Sequence, residues 1–291
     1  MKAATKTAIK TESNRISIPA AFAIERPAPK TGATEPKHVT DHIQTSLRAQ
    51  LADLTAGLET QPAPVKGIET FGGFGSATAL ERHVAEWKKS QILGFAKTMD
   101  FTVPVGTRMI APPYDHSWAV GAGAPLARYD GSMYAFGEDG FSASGTSIVL
   151  SSPNPVLASV TPQGNFDFAW VSFDNYPSVS SRGGLGILVY AAGNPNPLLV
   201  RQAVLWSVSG VSQFSSNSGS GQYADAVAVM TDFGPIRLAP ALFNMDPGVS
   251  YEVWMWCWTV GQNQQGTAFL SDVRCNIPVV SVDAGPPIII H

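Results

Sequence analysis

Residues 251–260 read Tyr-Glu-Val-Trp-Met-Trp-Cys-Trp-Thr-Val. Trp254, Trp256 and Trp258 fall at every second position, with Met255 and Cys257 between them. Alternate side chains of a strand share a face, so the three indoles form one stripe. Tyr251, Val253, Met255 and Cys257 form the other. An exposed indole stripe would suit a sugar platform, but its flanks, Glu252 and Val260, offer hydroxyl groups little hydrogen bonding. The next apolar run, 273–282, places Val273, Cys275, Ile277 and Val279 on one face, as a partner in a sandwich core would. The stripe is therefore expected to be buried, with the opposing sheet covering one face of its strand. A neighbouring subunit or a segment of residues 39–100 should cover the other. Trp256, at the centre, is expected to be the most buried of the three.

Working outward, the chain from Phe101 onward consists of short runs rich in Val, Ile, Phe, Tyr and Trp, the composition of strands. They fall at 101–110, 146–151, 156–160, 166–173, 185–192, 198–209, 224–233, 249–260 and 273–282. Between them lie turn-like segments such as SSPNP, GNPNP, SSNSGSGQ, NMDPG and GQNQQG. Eight or nine strands with long irregular connections predict a mainly β fold, an antiparallel β-sandwich of Greek-key or jelly-roll type.

The first hundred residues differ in kind. Residues 1–38 are polar, carry Pro19, Pro27, Pro29 and Pro36, and show no helical period, which predicts an extended arm. In 39–59, Val39, Ile43, Leu47, Leu51, Leu54 and Leu58 recur at three- and four-residue spacings, an amphipathic helix with a narrow stripe. A Pro/Gly-rich linker follows. Thr78 and Glu81 then make a capping box that opens a second helix ending near Gly94. The divisions are thus an arm over 1–38, a helical linker region over 39–100 and a β body over 101–291.

Charge is sparse, at 14% of residues against roughly 25% for an average domain, and unevenly placed. Residues 1–100 hold thirteen Lys and Arg against ten Asp and Glu, whereas 101–291 hold six against twelve. The six basic residues of the body are all arginines. Lys2, Lys6, Lys10, Arg15, Arg26 and Lys30 crowd the first thirty residues against only Glu12 and Glu25. A basic tail on an acidic body is a pattern that meets polyanions such as RNA.

No apolar run approaches the ~20 residues of a membrane span, and the start lacks the apolar core of a signal peptide. Two cysteines, Cys257 and Cys275, are too few for a disulfide scaffold or a zinc module. With no Asn-x-Ser/Thr sequon, the chain reads as cytosolic.

The sequence offers no constellation for catalysis. Asp115, His116 and Ser117 are adjacent, but triads are assembled from distant positions. Arg182-Gly183-Gly184-Leu185-Gly186 leads into a strand, not into a helix N-terminus, so it is no phosphate cradle. His38 and His42 straddle a helix start and read as a solvated pair. Asp130, Glu138 and Asp139 are acidic loop residues with the chemistry of calcium ligands but no loop motif. Asp167 and Asp174 flank a strand without a reason to pair. No enzyme, metal or cofactor is expected.

Taken together, a basic arm, a short helical linker and an acidic, low-charge β body resemble the coat proteins of small icosahedral positive-strand RNA viruses. The likeness is one of layout over the whole chain, closest at FTVPVGTRMIAPP, MDPGVSYEVWMWCW and VRCNIPVVSV. The arm departs from that family's arginine-rich tract in being mild and lysine-spaced. The resemblance implies an eight-stranded jelly roll that tiles a shell, with many copies of the chain as partners. It also implies viral RNA on the arm, at Lys2, Lys6, Lys10, Arg15, Arg26 and Lys30, and a host receptor outside. The setting would be the virion, with assembly in the host cytoplasm. The alternative is a carbohydrate- or receptor-binding sandwich, as in a phage fibre or decoration protein, with the N-terminal helix as its oligomerisation element.

Overall fold

The structure, a computed structural model, describes residues 24–26, 37–59, 108–137, 139–172, 180–209, 215–230, 234–262 and 269–286. Helix α1 (Lys37–Glu59) begins two residues before the apolar stripe that predicts it. Val39, Ile43, Leu47 and Leu54 of that stripe are buried.

Fourteen strands follow among the described residues. The first four are short: β1 (Arg108–Ile110), β2 (His116–Gly121), β3 (Leu126–Ala127) and β4 (Ser132–Gly137). The next four are long: β5 (Gly140–Ser151), β6 (Val156–Ser172), β7 (Ser180–Ala191) and β8 (Leu199–Ser209). Then come β9 (Ser215–Gln222), a 3-10 turn at Tyr223–Asp225, β10 (Val227–Met230), β11 (Gly234–Arg237) and β12 (Ala241–Met245). The chain closes with β13 (Ser250–Gln262) and β14 (Phe269–Gly285).

These strands form two seven-stranded sheets in which every pairing is antiparallel. One sheet runs β11-β10-β8-β7-β13-β5-β2. The other runs β12-β6-β14-β4-β3, and two further strands share its long members: β1 pairs with the far end of β14, and β9 with the far end of β6. Strands of 17 residues are long enough to hold two short partners on one edge. The sheets enclose a common core. Tyr251, Val253, Met255 and Cys257 of β13 join Val273, Cys275 and Ile277 of β14 in one apolar cluster.

The pattern in β14 breaks where the sequence predicts continuity. Its register shifts between Asn276 and Val279, so the alternation of faces changes parity. Val280 and Val282, not Val279, continue the core face.

Three further departures have local causes. The runs 156–160 and 166–173 are one strand, because Thr161, Pro162, Gln163 and Asn165 in the apparent break pair with β14, only Gly164 being passed over at the register shift. SSNSGSGQ, read as a turn, is β9. Such residues have poor intrinsic strand preference, but Gly219 and Gly221 pair with Phe168 and Phe166, whose rings lie over them. The bare glycine backbone makes room for those rings. Strands β2, β3, β4, β11 and β12 also lie outside the apolar runs; they are short, at two to six residues each. The second predicted helix and residues 101–107 lie outside the described residues.

Candidate functional site

The indole stripe of β13 faces away from the second sheet and lies beneath α1. Trp254, Trp256 and Trp258 are all fully buried, so the centre is not more buried than its flanks. They pack with Val39, Ile43, Leu47 and Leu54 of α1, and with Trp118, Ala143, Leu188, Tyr190 and Val260 of the sheet. The cover is therefore the chain's own helix. At its middle, Gln50 and Ser46 hydrogen-bond Gln202 of β8.

The glycines of Arg182–Gly186 have a packing role in this arrangement. Gly186 and Gly184 pair with Trp256 and Trp258 across β7 and β13. A Cβ on Gly186 would stand 2.0 Å from the Trp256 indole nitrogen, and one on Gly184 2.8 Å from the Trp258 ring. Gly145 of β5 abuts Trp256 from the other side. On the opposite face of β7, Gly183 accommodates Trp206. Large aromatic rings thus lie flat on backbone, which compresses the layer beneath α1. In this packing the indole N–H groups of Trp118, Trp254, Trp256 and Trp258 are buried without a hydrogen-bond partner.

Beneath the stripe, Tyr223 anchors β13 from the core side. Its hydroxyl donates to the Gly186 carbonyl at 2.6 Å and accepts from the Trp256 backbone N–H at 2.9 Å. Burial pushes its pKa well above the usual phenol value. Cys257 and Cys275 face each other across the two sheets as free, buried thiols. Burial first, and Cys257 second, pushes the Cys275 thiol up.

Polar chemistry collects at one end of the stripe. His116 of β2 is 3.2 Å from Glu252, whose same oxygen accepts from Ser147 at 3.1 Å. The His116 ring stacks on Trp254 at 6.2 Å. His38 and His42, one helical turn apart, both set their rings edge-on to Tyr190, at 4.8 and 6.3 Å. They make the first turn's ring contacts with the sheet, while His38 stays exposed to solvent, as the sequence predicts, and His42 is half-buried. Burial, and then the nearby Glu252, pushes the Tyr190 phenol up to about 12. A cleft of about 420 Å³ opens beside them, lined by His38, His116, Tyr190, Glu252 and the β7–β8 turn.

The arm is pinned at residues 24–26. Ile24 is buried in the core, and Glu25 exchanges both backbone hydrogen bonds with Ser151. Arg108 donates to the Ile24 carbonyl. The Arg26 guanidinium grips Asp115 with two nitrogens, at 3.1 and 3.3 Å, and donates to the Pro113 carbonyl at 2.6 Å. Asp115 in turn accepts from the Val149 N–H at 2.7 Å. Asp115 and His116, adjacent in sequence, therefore serve different partners. Of the six basic arm residues, Arg26 is neutralised within the chain. Lys2, Lys6, Lys10, Arg15 and Lys30 lie outside the described residues.

On the outer face of the other sheet, the Arg274 Nε lies 2.8 Å from Asp272 and 3.7 Å from Asp167. Asp174 lies outside the described residues. Asp130 accepts from the Ser132 N–H in a turn. Among the described residues, no group of three or more His, Cys, Asp or Glu is placed to hold a metal ion, and no helix is long and apolar enough to cross a membrane.

Compared with known proteins, the sequence matches no family model and no curated protein.

Proposed function

We propose that this chain is the coat protein of a small icosahedral positive-strand RNA virus, a jelly-roll subunit that assembles into a closed shell around RNA. The strand order carries the reading. Taking β4, β5, β6, β7, β8, β9, β13 and β14 as strands one to eight, one sheet contains the order 1-8-3-6 and the other 2-7-4-5. Those are the neighbour relations of two interlocked Greek keys wound into a jelly roll. β1, β2, β3, β10, β11 and β12 extend its edges.

The arm supports the same reading. Its anchor at Ile24–Arg26 fixes where the preceding residues leave the body, so many subunits in a shell would deliver Lys2, Lys6, Lys10 and Arg15 to one surface. Few charges per chain bind phosphate weakly, and presentation in many copies adds them by multivalency. The sugar-binding alternative draws no support from the indoles, which lie under α1.

Negative-stain microscopy of the purified full chain tests the proposal, with closed particles of uniform size as the expected result. A protein that stays monomeric or trimeric across pH and salt would overturn it. Deleting residues 1–23, which spares the anchor, should lower the 260/280 nm absorbance ratio of the particles.

A further inference from the structure

We propose that the first turn of α1 is an acid-sensitive latch that holds the helix over the tryptophan stripe. Below the ordinary imidazole range the latch opens, and α1 lifts while the β-sandwich stays folded. This inference concerns the single chain and does not rest on shell formation.

The geometry places the weak point at the helix start. The middle of α1 is held by Ile43 and Leu47, both fully buried, and by the Gln50–Gln202 contact. At its start, the contacts with the sheet run through His38 and His42 against Tyr190, and through Val39. The adjoining cleft reaches under His38 to His116 and Glu252, so water already has access to that turn.

The charges around His42 do not favour an imidazolium. On α1 itself are Lys37, His38 and the exposed Asp41, together with the positive end of the helix dipole. β7 presents Tyr190, β2 presents His116, and β8 presents the uncharged Gln202. β13 presents Glu252, whose carboxylate is already engaged by His116 and Ser147. Partial burial accordingly lowers the His42 pKa. A group whose pKa is lowered in the closed state takes up a proton on opening. The closed latch is thus stable above the ordinary value of 6.5, and weakens as pH falls from there through the lowered value.

A second observation indicates that the seam is poised to open. The Thr40 and Tyr190 hydroxyls and the four indole N–H groups are buried at this interface without hydrogen-bond partners. Release would return them to water.

Hydrogen–deuterium exchange on the full-length protein, corrected for intrinsic rate, tests the latch at pH 7.5 and pH 5. The expected result is a loss of protection across residues 37–54 of at most about tenfold per pH unit below 6.5, the limit for one linked proton. The amides of β13 should keep theirs. His42→Gln should hold α1 protected at both pH values. Equal protection of α1 at both pH values in the wild type, or an unchanged response in His42→Gln, would overturn the proposal. So would loss of β13 protection in step with α1. Should His42→Gln fold poorly, an NMR titration of wild-type His42 decides. Its midpoint must lie below 6.5 and mark the pH at which the loss of α1 protection levels off.

Discussion

Trp256 lies across Gly186 so closely that a side-chain carbon on the glycine would stand 2.0 Å from the indole nitrogen. The indole is trapped between that backbone and α1, so it has nowhere to move. Gly186→Ala should destabilise the chain by roughly 1–3 kcal/mol through overpacking, read as a lower urea midpoint. Gly285→Ala is the control, because nothing lies within 4 Å of a Cβ there. Equal midpoints for the two variants would show that the stripe yields easily.

Trp256→Ala makes the opposite change, a cavity at the centre of the helix-covered layer. The expected cost is roughly 3–5 kcal/mol, with reduced yield of folded protein. A well-folded Trp256→Ala protein that has lost binding on a glycan array would instead make the stripe a ligand surface.

The relation between Trp256 and its cover shows what the sequence could and could not convey. The alternation in 251–260 and the 3–4 spacing from Val39 to Leu58 each encode a face, and the two meet at Val39, Ile43, Leu47 and Leu54. The glycines at 184 and 186 were visible but ambiguous, because glycine-rich runs serve several ends and only the register with Trp256 and Trp258 explains them. β9 was illegible for a related reason. Its strand conformation comes from pairing with Phe166 and Phe168, not from its own serines and glycines. The shift after Asn276 escaped because a bulge leaves no compositional mark. The latch at His38 and His42 needed Tyr190, which lies about 150 residues away in sequence.

Tyr223 ties the stripe to the core from below. Tyr223→Phe would leave the Trp256 N–H and the Gly186 carbonyl without the hydroxyl they share. Both are buried, and the expected cost is roughly 1–3 kcal/mol. Chemical denaturation measures it. Wild-type stability in the variant would mean that the two backbone groups bond each other directly.

The anchor of the arm rests on Arg26 and Asp115, whose side chains are only 16% and 4% exposed. Arg26→Ala removes the two hydrogen bonds to Asp115 together with those to the Pro113 and Ala111 carbonyls, and should cost at least roughly 1.5–3 kcal/mol. A double-mutant cycle with Asp115→Asn isolates the coupling. Full additivity would mean that Glu25 and Ile24 hold the arm without the ion pair.

Asp272 sets a pH dependence of its own. It is fully buried on β14, and burial raises its pKa from 3.8 to about 7, with Arg274 pulling it partly back and Asp167 adding to the rise. Between those two values the folded chain holds a proton that the unfolded chain has released. Stability from this group is therefore greatest below about 4 and falls as pH rises to about 7, where the loss levels off. At about 1.36 kcal/mol per pH unit, the total is at most about 4 kcal/mol. In Asp272→Asn the side-chain oxygen still accepts from Arg274, but the titration is gone. Urea midpoints of the variant should therefore change less between pH 4 and 7, and the variant should exceed the wild type at pH 8. Parallel curves for the two proteins would place the Asp272 carboxyl at its ordinary value and make the Arg274 pairing, not burial, the dominant influence on it.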